Sequence, residues 1–555
     1  MIRLLISLVF TSALPALLLA GDSAPRPNVV FILADDLDFD ETGVYDPLLL
    51  PSRTGAHLHG FTEWQEDWRY YADPRMHTPH IDSLAEEGAR FDRFYVTSAI
   101  CTPSRYSFVT GRYATRSPPF QERFPPGTEA FVSWNTLLDP DEPNLPKAMG
   151  DLGYRTGMVG KWHLGFPFDR IDPVPADADP ADPVIAARIR RNYDLSVDYM
   201  RDAYGWDFVD RLFLLNKEGR ALGIPDELRH HNQEWLTEGA LGFIRESAEG
   251  GRPFFLYLAL TVPHSQFDAI YGEFRGADPL ASPAGRLAAA PDGQPSRDSI
   301  DDRLEARGIS PRNAMATWID DGVGAILAEL EALGIDQNTL LIFTSDHQSR
   351  GKFTAYEGSR VPFLARWPAR IPAGMTVDAL AANIDLAPTL VDLAGGDQEL
   401  LGTVDGRSLV PFLEGDPPAQ WRRSLLLEIA YSRAVVTQDW KYLANRPVAQ
   451  ALEAMDADRK QFTSTGARRT VHWSGRANPH ARWGEAGIRY VADVDFPHFF
   501  DFDQLYHLRT DPFEQVNVIG HPDYQSVLED LRQELREHLA ELPHSFGEFS
   551  EGMRE

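Results

Sequence analysis

The chain has 555 residues, of which 43% are hydrophobic and 24% are charged, and these are the proportions of a globular protein with an extensive buried core. Its formal net charge of −29 excludes nucleic acids and anionic membranes as general partners, because both are polyanions. A site for an anionic substrate must therefore be locally basic. The length favours one large domain followed by a smaller one.

The first twenty residues have the pattern of an export signal. Arg3 precedes a mostly apolar run from Leu4 to Leu19, which Pro15 interrupts. Because this run is short for a membrane span, residues 1–20 are predicted to be a cleaved signal peptide, with a membrane anchor as the alternative. We therefore expect an exported protein, periplasmic or secreted, without stable membrane insertion. A single cysteine excludes an intramolecular disulfide bond.

Four predicted strands end in ionisable residues. The strands are short apolar runs of the kind that is buried on both faces of a parallel sheet, and they cover residues 28–34, 156–159, 254–260 and 340–344. The residues that follow them are Asp35 and Asp36, Lys161 and His163, His264, and Asp346 and His347. Since strands and helices alternate, the carboxyl ends of the strands should share one edge of the sheet. The sequence therefore predicts a metal site and a cationic pocket at that edge.

Cys101 begins the segment Cys101-Thr102-Pro103-Ser104-Arg105. Pro103 suits the first turn of a helix, and Gly111 suits its end. Cys101 is then expected at a helix N-terminus, where backbone N–H groups favour an anion, with Arg105 one turn further along. The alternative is a structural cysteine buried beside a turn, which is the usual role of an isolated cysteine.

This segment, followed by Thr110-Gly111-Arg112, resembles the signature of the type I sulfatases of the alkaline phosphatase superfamily. The Gly160–Gly165 segment, the Pro263-His264 pair and the residues around Asp346 resemble three further motifs of that family. In that family the cysteine is oxidised to formylglycine by a maturation enzyme, and the hydrate of formylglycine attacks the sulfur atom of a sulfate ester.

The resemblance also implies a metal ion and a set of catalytic residues. One Ca²⁺ ion, with Mg²⁺ as the alternative, would be bound by Asp35, Asp36, Cys101, Asp346 and His347, and three carboxylates suit such a hard cation. The implied catalytic residues are Cys101, Arg105, Lys161, His163, His264 and Lys352. Within this set, Arg105 and Lys161 would orient the hydrate, Lys161 and Lys352 would contact sulfate, and the two histidines would serve as base and acid.

The pattern changes near residue 415. Short strand patterns at 424–429, 433–437, 440–443 and 504–508 predict an antiparallel sheet, and a final amphipathic helix follows from Val527 to Leu542. The predicted fold is therefore α/β, with a large, mostly parallel sheet flanked by helices and a smaller C-terminal α+β subdomain built on an antiparallel sheet. We expect a catalytic domain over 21–415 and the subdomain over 416–555. Three regions carry no motif. Residues 39–76 are predicted to be an irregular insertion, residues 166–235 a variable insertion on the substrate side, and residues 268–310 a polar loop region.

Residues 459–490 reverse the acidic character of the chain, with seven Lys and Arg residues against one Glu. Arginine side chains pair with sulfate, and flat aromatic faces stack on sugar rings. We therefore predict that this segment contacts the substrate beyond its sulfate, and the residues chosen for this role are Arg468, Arg469, Trp473, Arg476 and Trp483. The alternative is a solvated surface loop.

The predicted function is that of an exported sulfatase acting on a sulfated carbohydrate. Two alternatives stay open at this point. One is a phosphate or phosphonate monoester hydrolase of the same superfamily, and the other is a non-catalytic binder of sulfated glycans in which Cys101 stays a thiol.

Overall fold

The structure is a computed structural model that describes residues 26–45, 75–217, 224–264, 270–348, 353–355, 358–449, 498, 501–512 and 514–549. The predictions for residues 1–20, for Lys352 and for residues 459–490 lie outside these residues and stay predictions. Within them, no helix has the length and apolarity that crossing a membrane requires.

Sixteen strands are described. They are β1 (Asn28–Asp35), β2 (Ala89–Phe91), β3 (Phe94–Tyr95), β4 (Arg155–Lys161), β5 (Phe208–Phe213), β6 (Phe254–Pro263), β7 (Ala281–Ser282), β8 (Gly285–Arg286), β9 (Thr339–Ser345), β10 (Phe363–Arg366), β11 (Met375–Val377), β12 (Ala381–Ala382), β13 (Leu425–Ile429), β14 (Ser432–Val436), β15 (Trp440–Asn445) and β16 (Asp503–His507).

Twelve α-helices are described in the same residues. They are α1 (Pro79–Glu86), α2 (Cys101–Thr110), α3 (Pro118–Arg123), α4 (Leu145–Asp151), α5 (Pro183–Tyr204), α6 (Gln233–Glu249), α7 (Ile270–Gly276), α8 (Arg297–Arg307), α9 (Ala314–Ala332), α10 (Leu386–Leu393), α11 (Val410–Leu413) and α12 (Gln525–Ala540).

The large sheet has eight strands in the order β11-β2-β10-β9-β1-β6-β4-β5. The five strands from β9 to β5 are parallel to one another, and β10 is antiparallel to both β9 and β2. Every residue of β6 and β9 is buried, which explains why their sequences are continuous apolar runs rather than alternating ones. The predicted fold class is confirmed. Helices α6 and α9 pack against each other, and α6 also packs on β6 and β4.

The second sheet is antiparallel, in the order β13-β14-β15-β16. Helix α12 packs on β14 and β15. Its leucines recur every three or four residues and form one buried face, which consists of Leu528, Leu531, Leu535 and Leu539. Burying one leucine contributes roughly 1.5–3 kcal/mol, so this face is sufficient to fix the helix on its sheet.

Two of the predicted insertions contain regular structure, and the prediction of a loop region over 268–310 was wrong where α8 forms. Between residues 166 and 235 the chain forms the 22-residue helix α5 and the edge strand β5. Asp182 caps α5 by accepting hydrogen bonds from the N–H groups of Val184 and Ile185, and Gly205 ends it in the left-handed conformation. The charged sequence of α5 obscured its apolar face. Within 268–310, residues Arg297–Arg307 form α8.

Candidate active site

The four predicted strand ends lie side by side in the middle of the large sheet. The strands β9, β1, β6 and β4 are consecutive neighbours there. Asp35 is the last residue of β1, Lys161 the last of β4, and Asp346 and His264 directly follow β9 and β6. Because these strands are parallel, their carboxyl ends meet at one edge, as the sequence predicted.

Helix α2 carries Cys101 to this edge. Cys101 is its first residue, Ile100 before it is extended, and Gly111 ends it with a φ of 72°. The Cys101 side chain is buried, with Sγ 3.1 Å from Nε2 of His347. The predicted position of Cys101 at a helix N-terminus is confirmed, and it places the thiol against the residues that follow β9.

Acceptor atoms converge around the His347 ring. The Nδ1–H of His347 donates to the carbonyl oxygen of Gln348 over 3.0 Å, so Nε2 is the ring nitrogen that faces the cluster. Nε2 lies 2.9 Å from Oδ1 of Asp36 and 3.7 Å from Oδ1 of Asp346. Either a proton on Nε2 or a metal ion bound to these atoms would stabilise this arrangement.

Four residues form a group that can hold a metal ion. They are Asp35, Cys101, Asp346 and His347, all buried, and one ligand atom of each lies within 4.8 Å of the others. Asp36 completes the predicted set through its contact with His347. Asp36 has a φ of 67°, an unusual conformation for a residue with a side chain, and its N–H donates to Oδ1 of Asp346 over 3.1 Å. Besides the sulfur of Cys101, the donors are carboxylates and an imidazole nitrogen, which suit a divalent cation.

Two fully buried cations border this group. Arg105 donates from Nε to Oδ2 of Asp346 over 2.9 Å and from Nη1 to the carbonyl oxygen of Lys161 over 3.0 Å. Lys161 donates from Nζ to both carboxylate oxygens of Asp35 at 2.7 Å. Two cations thus face the three carboxylates of Asp35, Asp36 and Asp346. The remaining negative charge accommodates a divalent ion, and the ion would leave the site positive enough to attract an anion.

The two buried aspartates respond differently to this environment. Burial raises the pKa of Asp35 to about 7, even though Lys161 and Arg105 oppose the rise. Burial also acts to raise the pKa of Asp346, but His347, Arg105 and Lys161 outweigh it and hold that pKa well below its usual range. Asp346 is therefore the firmly ionised carboxylate of the pair, and the charge of Asp35 gains most from an added cation.

The predicted catalytic histidines flank the cluster on the β6 and β4 side. His163 has a φ of 65°, and its N–H donates to the carbonyl oxygen of Leu214. Burial, together with the nearby Lys161 and Arg105, lowers the pKa of His163 well below its usual range, so its ring is neutral at physiological pH. The Nε2 atom of His264 lies 3.6 Å from Oδ2 of Asp36.

The sequence of residues 27–396 matches the family model named Sulfatase. The chain belongs to the sulfatase family. It is accordingly an enzyme of the sulfuric ester hydrolase class, and the predicted family membership is confirmed.

Individual relatives agree with this assignment. The sulfatase is 27% identical to mouse steryl-sulfatase over 75% of its own length and 70% of the relative's. It is 24% identical to an ulvan-active sulfatase of Formosa agariphila over 95% and 83% of the two chains. Among solved structures it resembles BT4656 in complex with its substrate D-glucosamine-2-N,6-O-disulfate, with a TM-score of 0.57 and 18% identity over 93% of this chain and 98% of that one. At that identity the likeness shows the fold alone.

The structure adds a residue to this sulfatase site that the sequence did not indicate. Asn216, three residues beyond β5, donates from Nδ2 to Nε2 of His264 over 2.7 Å. It lies in the segment 166–235, which was predicted to be a variable insertion on the substrate side. The only feature of the sequence that could have indicated Asn216 is its position after a strand. Because β5 was not predicted, this feature could not be used.

A second polar cluster involves residues close in sequence to Asn216 and His264. Glu273 accepts from Lys217 at 2.9 Å, and its other oxygen lies 3.7 Å from Nε2 of the buried His231. The Nδ1 atom of His231 is 2.9 Å from Oγ1 of Thr261, near the end of β6. These contacts connect the chain segments that carry Asn216 and His264, so the cluster stabilises both of them.

The structure thus brings together every predicted catalytic and metal-binding residue that it describes. Lys352 and the five predicted substrate-binding residues lie outside the described residues, and their roles stay predictions.

Proposed function

We propose that this sulfatase is an exported enzyme that hydrolyses sulfate esters of a carbohydrate, and that Cys101 is converted to formylglycine by a separate maturation enzyme. The observation that carries the proposal is the position of Cys101 Sγ. It lies at the N-terminus of α2 and 3.1 Å from Nε2 of His347, inside a buried group of potential metal ligands. A purely structural cysteine has no need of such neighbours.

A divalent cation, Ca²⁺ with Mg²⁺ as the alternative, belongs in the same proposal. Asp35, Asp36, Cys101, Asp346 and His347 would hold it. When bound, it would act as a Lewis acid toward the sulfate oxygens, and the modified Cys101 would supply the hydroxyl nucleophile. The converging acceptor atoms around His347 and the charge balance of the cluster support this assignment.

The proposed role of Arg105 and Lys161 is to stabilise the negative charge of the sulfate group with their own positive charges. Both are fully buried and fixed by the contacts to Asp346 and Asp35 described above. Cations that are already in place when charge develops stabilise a transition state by several kcal/mol, because nothing has to reorganise. Lys352 is proposed as a further cation at the sulfate.

The proposed proton carriers are His163 and His264. The neutral ring of His163 suits a base, and its Nδ1 is buried without a hydrogen-bond partner among the described residues, so this atom can accept a proton. His264, held by Asn216, is proposed as the acid that protonates the leaving oxygen, together with Lys352.

A carbohydrate substrate is supported by the names of two relatives. One is named for activity on ulvan, and the other was solved with a disulfated glucosamine as its substrate. The basic, tryptophan-containing segment 459–490 and the predicted signal peptide fit an exported enzyme that binds sulfated sugars. The catalytic domain is proposed to cover 21–415 and the C-terminal subdomain 416–555, since the first strand of the second sheet begins at Leu425.

Peptide mass spectrometry tests the modification directly. The protein is produced in a host with a formylglycine-generating enzyme, with Cys101→Ala as the control. We expect the Cys101 peptide to carry an aldehyde and the activity to follow the modified fraction. Full activity of a protein whose Cys101 is entirely a thiol would overturn the mechanism.

Two further measurements test the substrate class and the location. Turnover of an aryl sulfate well above that of the matching aryl phosphonate supports the proposal, and the opposite order would favour a phosphonate monoester hydrolase. N-terminal sequencing of the protein from the culture medium and periplasm should find the chain beginning near residue 21. A full-length chain in the cytoplasm would contradict export.

A further inference from the structure

The loop that carries Lys161 and His163 continues into an aromatic pair at the surface, Phe166 and Phe168. Backbone hydrogen bonds and a close approach to a helix fix the first part of this loop. The N–H groups of Trp162 and His163 donate to the carbonyl oxygens of Phe213 and Leu214. Gly165 lies so close to helix α5 that a Cβ atom there would be 1.8 Å from the hydroxyl oxygen of Tyr204.

Three rings form a continuous series from the site to the solvent. The His163 ring contacts Phe166 edge-on, with centroids 6.1 Å apart and planes at 61°. Phe166 in turn stacks on Phe168, with centroids 4.7 Å apart and planes at 30°. Phe166 is half-buried and packs against the main core, whereas Phe168 is 48% exposed. Phe168 is therefore only two ring contacts away from His163.

A single exposed phenylalanine is common and usually needs no explanation. The position of Phe168 distinguishes it, because few large apolar side chains are exposed in the described residues and this one is ordered by stacking beside the site. An aromatic face exposed to water lacks the favourable free energy that burial would give. A ligand that covers the face gains this free energy on binding.

We infer that Phe166 and Phe168 form a stacking subsite for a pyranose ring of the substrate, and this inference rests on the proposed carbohydrate sulfatase activity. With the sulfate group at Cys101 and Lys161, the sugar that carries it extends past His163 towards the loop. The C–H face of a pyranose ring is apolar and flat, so it fits against an aromatic face, while its hydroxyl groups stay at the rim and in water.

Steady-state kinetics on matched variants test the subsite. The substrate is the methyl glycoside of a 6-O-sulfated hexosamine or hexose that the wild type hydrolyses best. Phe168→Ala should raise KM about three- to tenfold with little change in kcat, since one ring-stacking contact is lost. Phe168→Tyr, which keeps the ring, should retain the wild-type KM.

Two controls separate stacking from general damage. Phe502 in the C-terminal subdomain is also 48% exposed, so Phe502→Ala removes an equally exposed ring far along the chain and should leave KM unchanged. Inhibition by inorganic sulfate, a probe without a ring, should have the same inhibition constant in wild type and Phe168→Ala. An unchanged KM in Phe168→Ala, or an equal rise in Phe502→Ala, would overturn the subsite.

The failure of the subsite can be distinguished from failure of the proposed function. If the wild type hydrolyses sulfated pyranosides and Phe168→Ala does so with the same KM, only the subsite is wrong. If the wild type hydrolyses aryl or steryl sulfates but no sulfated pyranoside, the carbohydrate proposal is wrong and the subsite falls with it.

Discussion

Asn216 donates a hydrogen bond from its side-chain amide to Nε2 of His264 across 2.7 Å, and this contact joins the segment after β5 to the end of β6. The carbonyl oxygen Oδ1 of the same amide is buried without a hydrogen-bond partner among the described residues. Rotation of the amide would present that oxygen to the ring instead. Asn216 can therefore bind His264 in either protonation state, as a residue that positions a proton donor should.

We expect Asn216→Ala to lower kcat about tenfold for sulfate esters with poor leaving groups and to change it little for 4-nitrophenyl sulfate. A good leaving group departs without protonation, so a misplaced acid matters only for poor ones. The measurement is the dependence of kcat on leaving-group pKa. Asn192→Ala is the control, because Asn192 is buried and, among the described residues, its side chain bonds to the backbone of Asp172 and not to the site. A uniform loss across all leaving groups would contradict a positioning role.

Arg105→Ala should lower the free energy of unfolding by about 3–5 kcal/mol, because it leaves buried carboxylates without their partner. Arg105 contacts Asp346 and Asp35, and all three side chains are fully buried. Arg245→Ala serves as the control, since its pair with Glu329 is at the surface and should contribute about 0–1 kcal/mol. Urea denaturation measures both variants, and equal losses would show that burial is not the cause.

The contribution of His231 to the stability of the protein should fall as the pH is lowered from 6.5 to 4. Burial lowers the pKa of His231 to about 4, so in this range the unfolded chain binds a proton that the folded chain rejects. The loss from this residue is expected to be roughly 2–3 kcal/mol. Although burial opposes it, contact with His231 and Lys217 lowers the pKa of Glu273 to about 2, so Glu273 adds a further loss below pH 4.5.

Urea denaturation at several pH values tests the contribution of His231. Relative to His231→Gln, the wild type should lose roughly 2–3 kcal/mol of stability between pH 6.5 and 4, because glutamine does not titrate. His521→Gln, at an exposed histidine, controls for the loss of a histidine as such. A His231→Gln profile as steep as that of wild type would assign the pH dependence to other groups.

Metal removal should inactivate the enzyme, and Ca²⁺ should restore it. Elemental analysis of the purified protein should find one divalent ion per chain, and Asp35→Ala should lose this ion together with about a hundredfold or more of the activity. Asp320→Ala removes an equally buried carboxylate that bonds to the backbone of Ile81 instead, and should retain the ion. Full activity of the wild type after exhaustive chelation would rule out the site.

The double substitution Arg468→Ala and Trp473→Ala tests the predicted role of residues 459–490. It should lower activity on a sulfated oligosaccharide and leave that on a small aryl sulfate unchanged, because only the larger substrate reaches beyond the sulfate pocket. Equal activities on both substrates, relative to wild type, would identify the segment as surface without a role in binding.

The sequence predicted the centre of the fold well because buried parallel strands are continuous apolar runs. The strands β1, β6 and β9 and the residues at their ends were recognised on this ground, and Cys101 was placed by the proline and glycine that bound its helix. Helix α5 was missed because it lies at the surface and its charged residues dilute the apolar period.

Long-range contacts of single side chains could not be predicted in the same way. The bond between Asn216 and His264 spans 48 residues, and the stacking of Phe168 depends on the path of a loop. For an asparagine or a phenylalanine, no regular spacing in the sequence predicts such a partner. Lys161 was predicted to lie in the site, but its contact with both carboxylate oxygens of Asp35 could not be predicted for the same reason.

Strand β1 lies between β6 and β9, so its ionisable end meets partners from distant parts of the sequence, and Asp36 and Asp346 are 310 residues apart. Such a long loop closes only when most of the domain has been synthesised and assembled, so binding of the proposed ion should be a late step of folding. A ligand of the completed fold slows unfolding more than it accelerates folding. The lifetime of the native protein should therefore depend on the free Ca²⁺ concentration, whereas its refolding rate should not.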